Sequence, residues 1–255
     1  MPSIQGICGQ AIMSRIAGKI CSPTSANLWR KYKPANNIYI RNTANVFNDV
    51  DLTCFPVGCS IWGFSGFGGA ALISRWHMLS ANHLVGKAKK WIGSSWRFVN
   101  KANKVITRTV ASATRIDTGD IDVLTFDNPL PIGIKPAYVP AADWFPLFGN
   151  ISPLYPVPGL GTDQFGNLIC LDITYIIAAG TFFMQSNNPM RAGWYKQLSA
   201  GDSGYSGGVI VGNKFVLLTQ WETPSSGPSD VAHIDEINAI MAKKSVALTR
   251  LSING

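Results

Sequence analysis

From Ile38 onward the chain runs as short stretches of β-branched and aromatic residues, each broken within a few positions by Gly, Asn, Asp or Pro. Stretches this short cannot carry an amphipathic helix. Their turn residues send the chain back on itself repeatedly, the pattern of an all-β sandwich or barrel. The candidate strands are Ala70–Ile73, Trp96–Val99, Val105–Val110, Ile121–Phe126, Ile169–Ile177, Val209–Val211 and Phe215–Thr219. The last two flank Gly212-Asn213-Lys214, a hairpin signal, and Trp96–Val99 faces Val105–Val110 across an Asn/Lys turn.

Eight prolines lie between Pro129 and Pro158, too many for a strand inside a sheet and suited to a surface crossover between two β units. At 255 residues the chain is long enough for each unit to bury its own core. The expected organisation is an N-terminal extension over 1–36 with a weak helical stretch at Ile12–Ile20, then a first β unit over 37–135. A crossover over 136–160 leads to a second β unit over 161–255. Val231, Ile234, Ile237 and Met241 recur at helical spacing, so a helix over Val231–Lys243 closes the chain.

The net charge of +8 is unevenly distributed: residues 1–115 carry 15 basic and two acidic side chains, and residues 116–255 carry seven basic and twelve acidic ones. The division falls close to the boundary between the units, where opposite balances draw the halves together. Lys87, Lys89, Lys90, Arg97, Lys101, Lys104, Arg108 and Arg115 form a run without an acid, interleaved with Trp91, Trp96 and Phe98. Such a run could stack on bases and contact phosphates. Strand alternation argues against that use, because Trp96 and Phe98 share one face and Arg97 and Val99 the other. The aromatics belong in the core, and no nucleic-acid partner is expected. No segment reaches the roughly 18 unbroken apolar residues of a membrane span, so no membrane partner is expected either. Met1–Ile20 lacks the basic start and clean apolar run of a secretory signal, so none is expected; the compartment stays open, with cytoplasmic and virion-associated locations among the candidates. The five cysteines form no C-x-x-C pair and histidine is sparse, so neither a metal nor another cofactor is expected. Cys54 and Cys59 flank a short Pro-Gly segment, but the odd count favours free thiols.

Three segments carry chemistry. Ala71-Leu-Ile-Ser-Arg-Trp-His-Met-Leu-Ser-Ala-Asn-His83 is an apolar strand ending in a small-residue turn and a histidine. Gly119-Asp-Ile-Asp-Val-Leu-Thr-Phe126 is a strand opening with acids, and Gly201-Asp-Ser-Gly204 precedes a β hairpin. Nucleophilic acyl transfer needs these parts: an imidazole to take the serine proton, a carboxylate to fix the imidazole tautomer, and backbone N–H groups for the oxyanion. His77 and His233 are expected to be structural.

The set resembles the trypsin/chymotrypsin-like serine proteases, whose chain order is His, Asp, Ser. Leu79-Ser-Ala-Asn-His83 is similar to the family's Thr/Ser-Ala-Ala-His motif, with Asn82 replacing the second Ala. Asp120-Ile-Asp-Val-Leu resembles its Asp-Ile-Ala-Leu-Leu strand, with Asp122 in the Ala position. Gly201-Asp-Ser-Gly204 matches the nucleophile motif, with Tyr205-Ser206 replacing Gly-Pro. The likeness spans roughly residues 55–240 and is nearest to divergent bacterial or phage-type members. It implies two packed six-stranded antiparallel β-barrels with a C-terminal helix, and a serine endopeptidase acting on polypeptides. His83 would be the general base and Ser203 the nucleophile, with Ser206 in Gly204-Tyr-Ser-Gly-Gly208 as the alternate. The triad acid would be Asp120 by motif register. Asp122 is the alternate, because as a bystander it would be an unpaired carboxylate in a normally buried position. The oxyanion hole would be the N–H groups of Gly201 and Ser203, and the substrate pocket would involve Gln197, Gln220 and Trp221. Gln197 at the pocket base does not demand Arg or Lys in the substrate. Asp202 would need a polar side chain or backbone N–H as its partner. The departures from the motifs keep a second expectation open, a catalytically silent trypsin-like module that binds a protein or builds a particle.

Overall fold

Asn103 and Gly212 take positive φ, 63° and 61°, and each reverses the chain between paired strands where the turn residues predict a hairpin. The computed structural model describes residues 3–57, 59–60, 69–116, 119–152, 154–176, 181–185, 189–197, 199, 202–223 and 226–254. The fold is mostly β, 37% strand and 23% helix, arranged as two curled antiparallel half-barrel sheets. The first runs in the order Cys59–Ser60, Ser95–Val99, Val105–Ile116, Ile121–Phe126, His77–Ala81, Ala71–Leu72. The second runs Lys214–Gln220, Ser206–Val211, Val157–Thr162, Leu168–Ile176, Thr181–Gln185, Ser226–Pro228.

Curling of the first sheet depends on its longest strand. Val105–Ile116 pairs first with Ser95–Val99 and then, after a register shift between Val110 and Ser112, with Ile121–Phe126. A shift of this kind bends the strand and increases its twist. Trp96 and Phe98 fill the interior so formed, as strand alternation predicts, and Trp91 from the preceding 3-10 turn and Phe126 from the neighbouring strand join them, while Val99, on the Arg97 face, is buried as well.

The N-terminal segment departs from the expected extension. Its helix spans Ile4–Ile16 rather than Ile12–Ile20, because Ser3 caps its start by accepting from the Gly6 N–H at 3.0 Å and Gly18 turns the chain at φ 68°. Ile4, Cys8, Ile12 and Ile16 form one buried stripe against the strands Val157–Thr162 and Ser206–Val211 of the second sheet. Burying each isoleucine contributes about 1.5–3 kcal/mol, so the helix is part of that core. A hairpin, Trp29–Lys33 with Ile38–Arg41, follows it.

The crossover is bonded to both sheets. Ala137 N donates to Leu72 O at 2.8 Å, Tyr138 N to Phe215 O at 3.1 Å, and Leu217 N to Tyr138 O at 2.8 Å. The closing helix covers Ile234–Met241, flanked by 3-10 turns at Asp230–His233 and Ala242–Lys244. Among the described residues Cys8, Cys21, Cys54 and Cys170 are free thiols, and the Cys59 side chain lies outside them. No helix among the described residues is long and apolar enough to cross a membrane.

Candidate functional site

The end of one strand and the start of its neighbour hold the first two groups. Ala81 pairs with Ile121, and the Asn82 N–H donates to Asp120 O at 3.1 Å, so the 3-10 turn Asn82–Leu84 is fixed against the entry to Ile121–Phe126. Asp120 then binds His83 twice. Its Oδ1 accepts the His83 backbone N–H at 2.7 Å, and its Oδ2 pairs with His83 Nδ1. A carboxylate only accepts, so Nδ1 carries the proton and Nε2 is left as the basic nitrogen. The His83 side chain is 39% exposed against 14% for Asp120, so the imidazole faces the solvent side and the acid lies behind it. The bond from Asp120 raises the His83 pKa above its ordinary 6.5 against the opposing effect of partial burial, and the charges of Asp120 and Glu222 add to the rise.

Asp122 is engaged elsewhere. It is fully buried and accepts from Asn82 Nδ2 at 2.9 and 3.0 Å and from Trp91 Nε1 at 2.7 Å. Burial pushes its carboxyl above the ordinary value, and the bonds from Asn82 and Trp91 pull the other way. The unpaired carboxylate expected if Asp122 is not the triad acid is therefore not found: the unusual Asn82 and the unusual Asp122 satisfy one another.

Ser203 lies in a turn that meets the histidine turn directly. Gly69 N donates to Ser203 O at 3.1 Å, and Gly204 N donates to Trp221 O at 2.7 Å. Gly204 has φ 78°, and a Cβ there would stand 2.5 Å from Gly69 O and 3.0 Å from Leu84 Cδ1. Leu84 is the residue after His83, so only a glycine lets the two turns approach this closely. Ser203 is half-buried. Ser206 opens the strand Ser206–Val211 opposite Gln220, is fully buried, and its hydroxyl has no partner among the described residues. Its hydroxyl is closed off from the surface among the described residues. No known protein family matches the chain, and no curated protein matches it significantly.

Asp202 is held by backbone: Oδ1 accepts from Gln164 N at 2.9 Å, and Oδ2 from Ser199 N at 2.8 Å. Gly201, expected in the oxyanion hole, lies outside the described residues. Gln197 is exposed, whereas Gln220 and Trp221 are buried, with the Gln220 amide and the Trp221 indole N–H unpartnered among the described residues. His77 is buried, bonded to Ser74 Oγ at 2.9 Å, and pushed down to about 4 by burial. His233 pairs through Nδ1 with Glu236 at 3.1 Å and packs against Gly119, where a Cβ would lie 3.2 Å from its Nε2.

Glu222 is the group the motifs do not flag. It follows Trp221, whose N–H donates to Tyr205 O at 2.8 Å, and its charge acts on both His83 and Asp120. Only the pairing of residues far apart in sequence brings it there. A cavity of about 490 Å³ between Phe148, Tyr175 and Ile234 contains none of these groups.

Proposed function

We propose that the chain is a serine endopeptidase of the trypsin/chymotrypsin-like kind, with the two curled sheets as its paired barrels and a polypeptide as substrate. The observation that carries this reading is the doubly bonded His83–Asp120 pair lying beside the Ser203–Gly204 turn. His83 Nε2 takes the Ser203 proton as Oγ attacks a peptide carbonyl, then returns it to the leaving amine. Asp120 keeps Nδ1 protonated and stabilises the imidazolium that forms. The backbone N–H groups of Gly201 and Ser203 receive the developing oxyanion. Water then releases the acyl group from Ser203 by the same proton relay.

A fluorophosphonate probe tests this. Wild-type protein is expected to take one label, Ser203→Ala none, and Ser206→Ala the wild-type amount. Labelling that survives in Ser203→Ala, or none in folded wild type across the neutral and alkaline range, would sink the reading; the second result is what a silent module gives.

A further inference from the structure

The loop leading into Ser203 is tied down at two points by a single turn. Asp202 accepts from Ser199 N and, at 3.2 Å, from Ser199 Oγ, but those bonds only fix the loop to itself. The bond that ties the carboxylate to distant chain is the one from Gln164 N. Gln164 occupies the second position of the turn Asp163–Gly166, closed by Gly166 N donating to Asp163 O at 3.0 Å. Asp163 is fully buried; its Oδ1 accepts from Phe165 N and Asn167 N at 2.9 Å, and its Oδ2 from Asn167 Nδ2 at 2.6 Å. Oδ2 also takes Lys196 Nζ at 2.9 Å. The same turn thus grips residue 196 at one end of the loop and residue 202 at the other.

The turn closes the hairpin of Val157–Thr162 with Leu168–Ile176, Asp163 N donating to Asn167 O at 3.2 Å, and the N-terminal segment is bonded across its outer side. Leu28 N donates to Gly166 O at 2.9 Å, and Asn27 bridges to Asn167. Gly166 takes φ 74°, and a Cβ there would run into the Trp29 indole nitrogen. Trp29 is itself buried, with the Arg41 guanidinium 4.9 Å over its ring and Tyr39 edge-on at 6.0 Å.

We infer that Asn27–Trp29 is a built-in brace for the nucleophile loop, and that Trp29, Gln164 and Asp202 are positioning residues acting through Ser203. The inference rests on the protease reading of Ser203. The segment fixes the turn, the turn's Gln164 N–H fixes Asp202, and Asp202 fixes the backbone that aims Ser203 and its N–H.

The test uses the full chain with Trp29→Ala, Trp29→Phe and Gln164→Pro. Proline suits the second position of such a turn, so Gln164→Pro deletes the N–H and keeps the turn. Three quantities are read: fluorophosphonate labelling rate, thermal melting, and hydrogen–deuterium exchange over residues 199–206. Trp29→Ala and Gln164→Pro are expected to fold, to label about 100-fold more slowly, as for a misplacement on the order of 1 Å, and to exchange faster over 199–206. Trp29→Phe keeps an aromatic ring against Gly166 and is expected to restore most of the labelling rate. If Trp29→Ala fails to fold, Gln164→Pro carries the test alone. Folded variants that label and exchange like wild type overturn the brace. Wild type that takes no label removes the protease reading instead, and in that case unchanged exchange over 199–206 in both variants still overturns the brace.

Discussion

Asn82 and Asp122 are bonded to one another, the amide nitrogen of the first donating to both carboxylate oxygens of the second. Each residue alone would be a liability in a buried position, and together they clamp the turn that presents His83 to the strand that follows Asp120. Removing Asn82 leaves the buried Asp122 with only the Trp91 N–H, and removing Asp122 leaves both Asn82 Nδ2 and Trp91 Nε1 without this acceptor, a loss of about 1–3 kcal/mol for each group left unpaired. Asn82→Ala and Asp122→Ala are therefore expected each to destabilise the fold, and the double variant to cost less than their sum, with a coupling on the order of 1 kcal/mol. Urea denaturation of the four proteins measures this. Strict additivity would mean the two side chains do not depend on each other.

The two carboxyls near His83 should separate cleanly in activity. Asp120→Asn disturbs the tautomer of the imidazole and is expected to slow Ser203 labelling by roughly 10³–10⁴-fold. Asp122→Asn keeps the shape but replaces one of the two accepting oxygens by an NH2 group that meets the donors Asn82 Nδ2 and Trp91 Nε1, so it is expected to lower stability far more than labelling.

His83 must be neutral to act as base, so labelling is expected to rise with pH. The bond to Asp120 holds its pKa above the ordinary 6.5, which puts the midpoint of that rise above 6.5. Glu222 adds to the upward shift, and Glu222→Gln removes a charge that favours the imidazolium. The midpoint is then expected to move to lower pH with the plateau rate retained. A midpoint unchanged in Glu222→Gln would mean that solvent screens this carboxylate from His83.

How far this was legible beforehand depends on the range of the interaction. The hairpin at Gly212 and the buried Trp96 and Phe98 follow from turn chemistry and alternation, which act within a few residues. His83 and Asp120 follow from motif register, because neighbouring strands lock the end of one to the start of the next. The Asn82–Asp122 bond joins residues 40 apart in sequence, and only the register that sets Ser80 opposite Asp122 brings the pair together. The first two turns of the N-terminal helix, before the helical stretch that the sequence does suggest from Ile12, are hidden for a different reason. The helix's stripe at Ile4, Cys8, Ile12 and Ile16 is interrupted by Gly6 and Gly9, and the surface that rewards it is made of strands from the other end of the chain. Gly9 in fact suits that surface, lying against Pro158 of one of those strands.

Gly204 is expected to tolerate no side chain. Alanine there would be strained at φ 78° and would meet Gly69 O at 2.5 Å, a backbone atom that cannot rotate away. The turn would have to open, carrying Ser203 away from His83. Gly204→Ala is expected to lose labelling and to melt earlier than wild type, whereas Gly212→Ala, with open space around it, should show only the cost of its own positive φ. Labelling of Gly204→Ala at the wild-type rate would contradict the close approach of the two turns.

Asp230 makes stability depend on pH in a direction opposite to ordinary acid denaturation. Its carboxyl is fully buried, both oxygens lack partners among the described residues, and burial raises its pKa well above the ordinary 3.8. An isolated charge at such a site is costly, so the folded state keeps the proton. Above 3.8 the unfolded chain releases that proton while the folded chain retains it, so folded molecules bind more protons in this interval. Stability must then fall as pH rises from 3.8 toward the folded-state value, and level off beyond it. Asp122, also raised, adds a contribution of the same sign. Asp230→Asn carries no proton to lose, so urea midpoints measured across a pH series should decline less steeply for the variant than for wild type. The variant should gain most on the alkaline side, where wild type must either ionise a buried carboxyl or hold its proton against the solvent. Identical pH profiles for the two proteins would mean that the carboxyl finds a partner in solution that stabilises its charge.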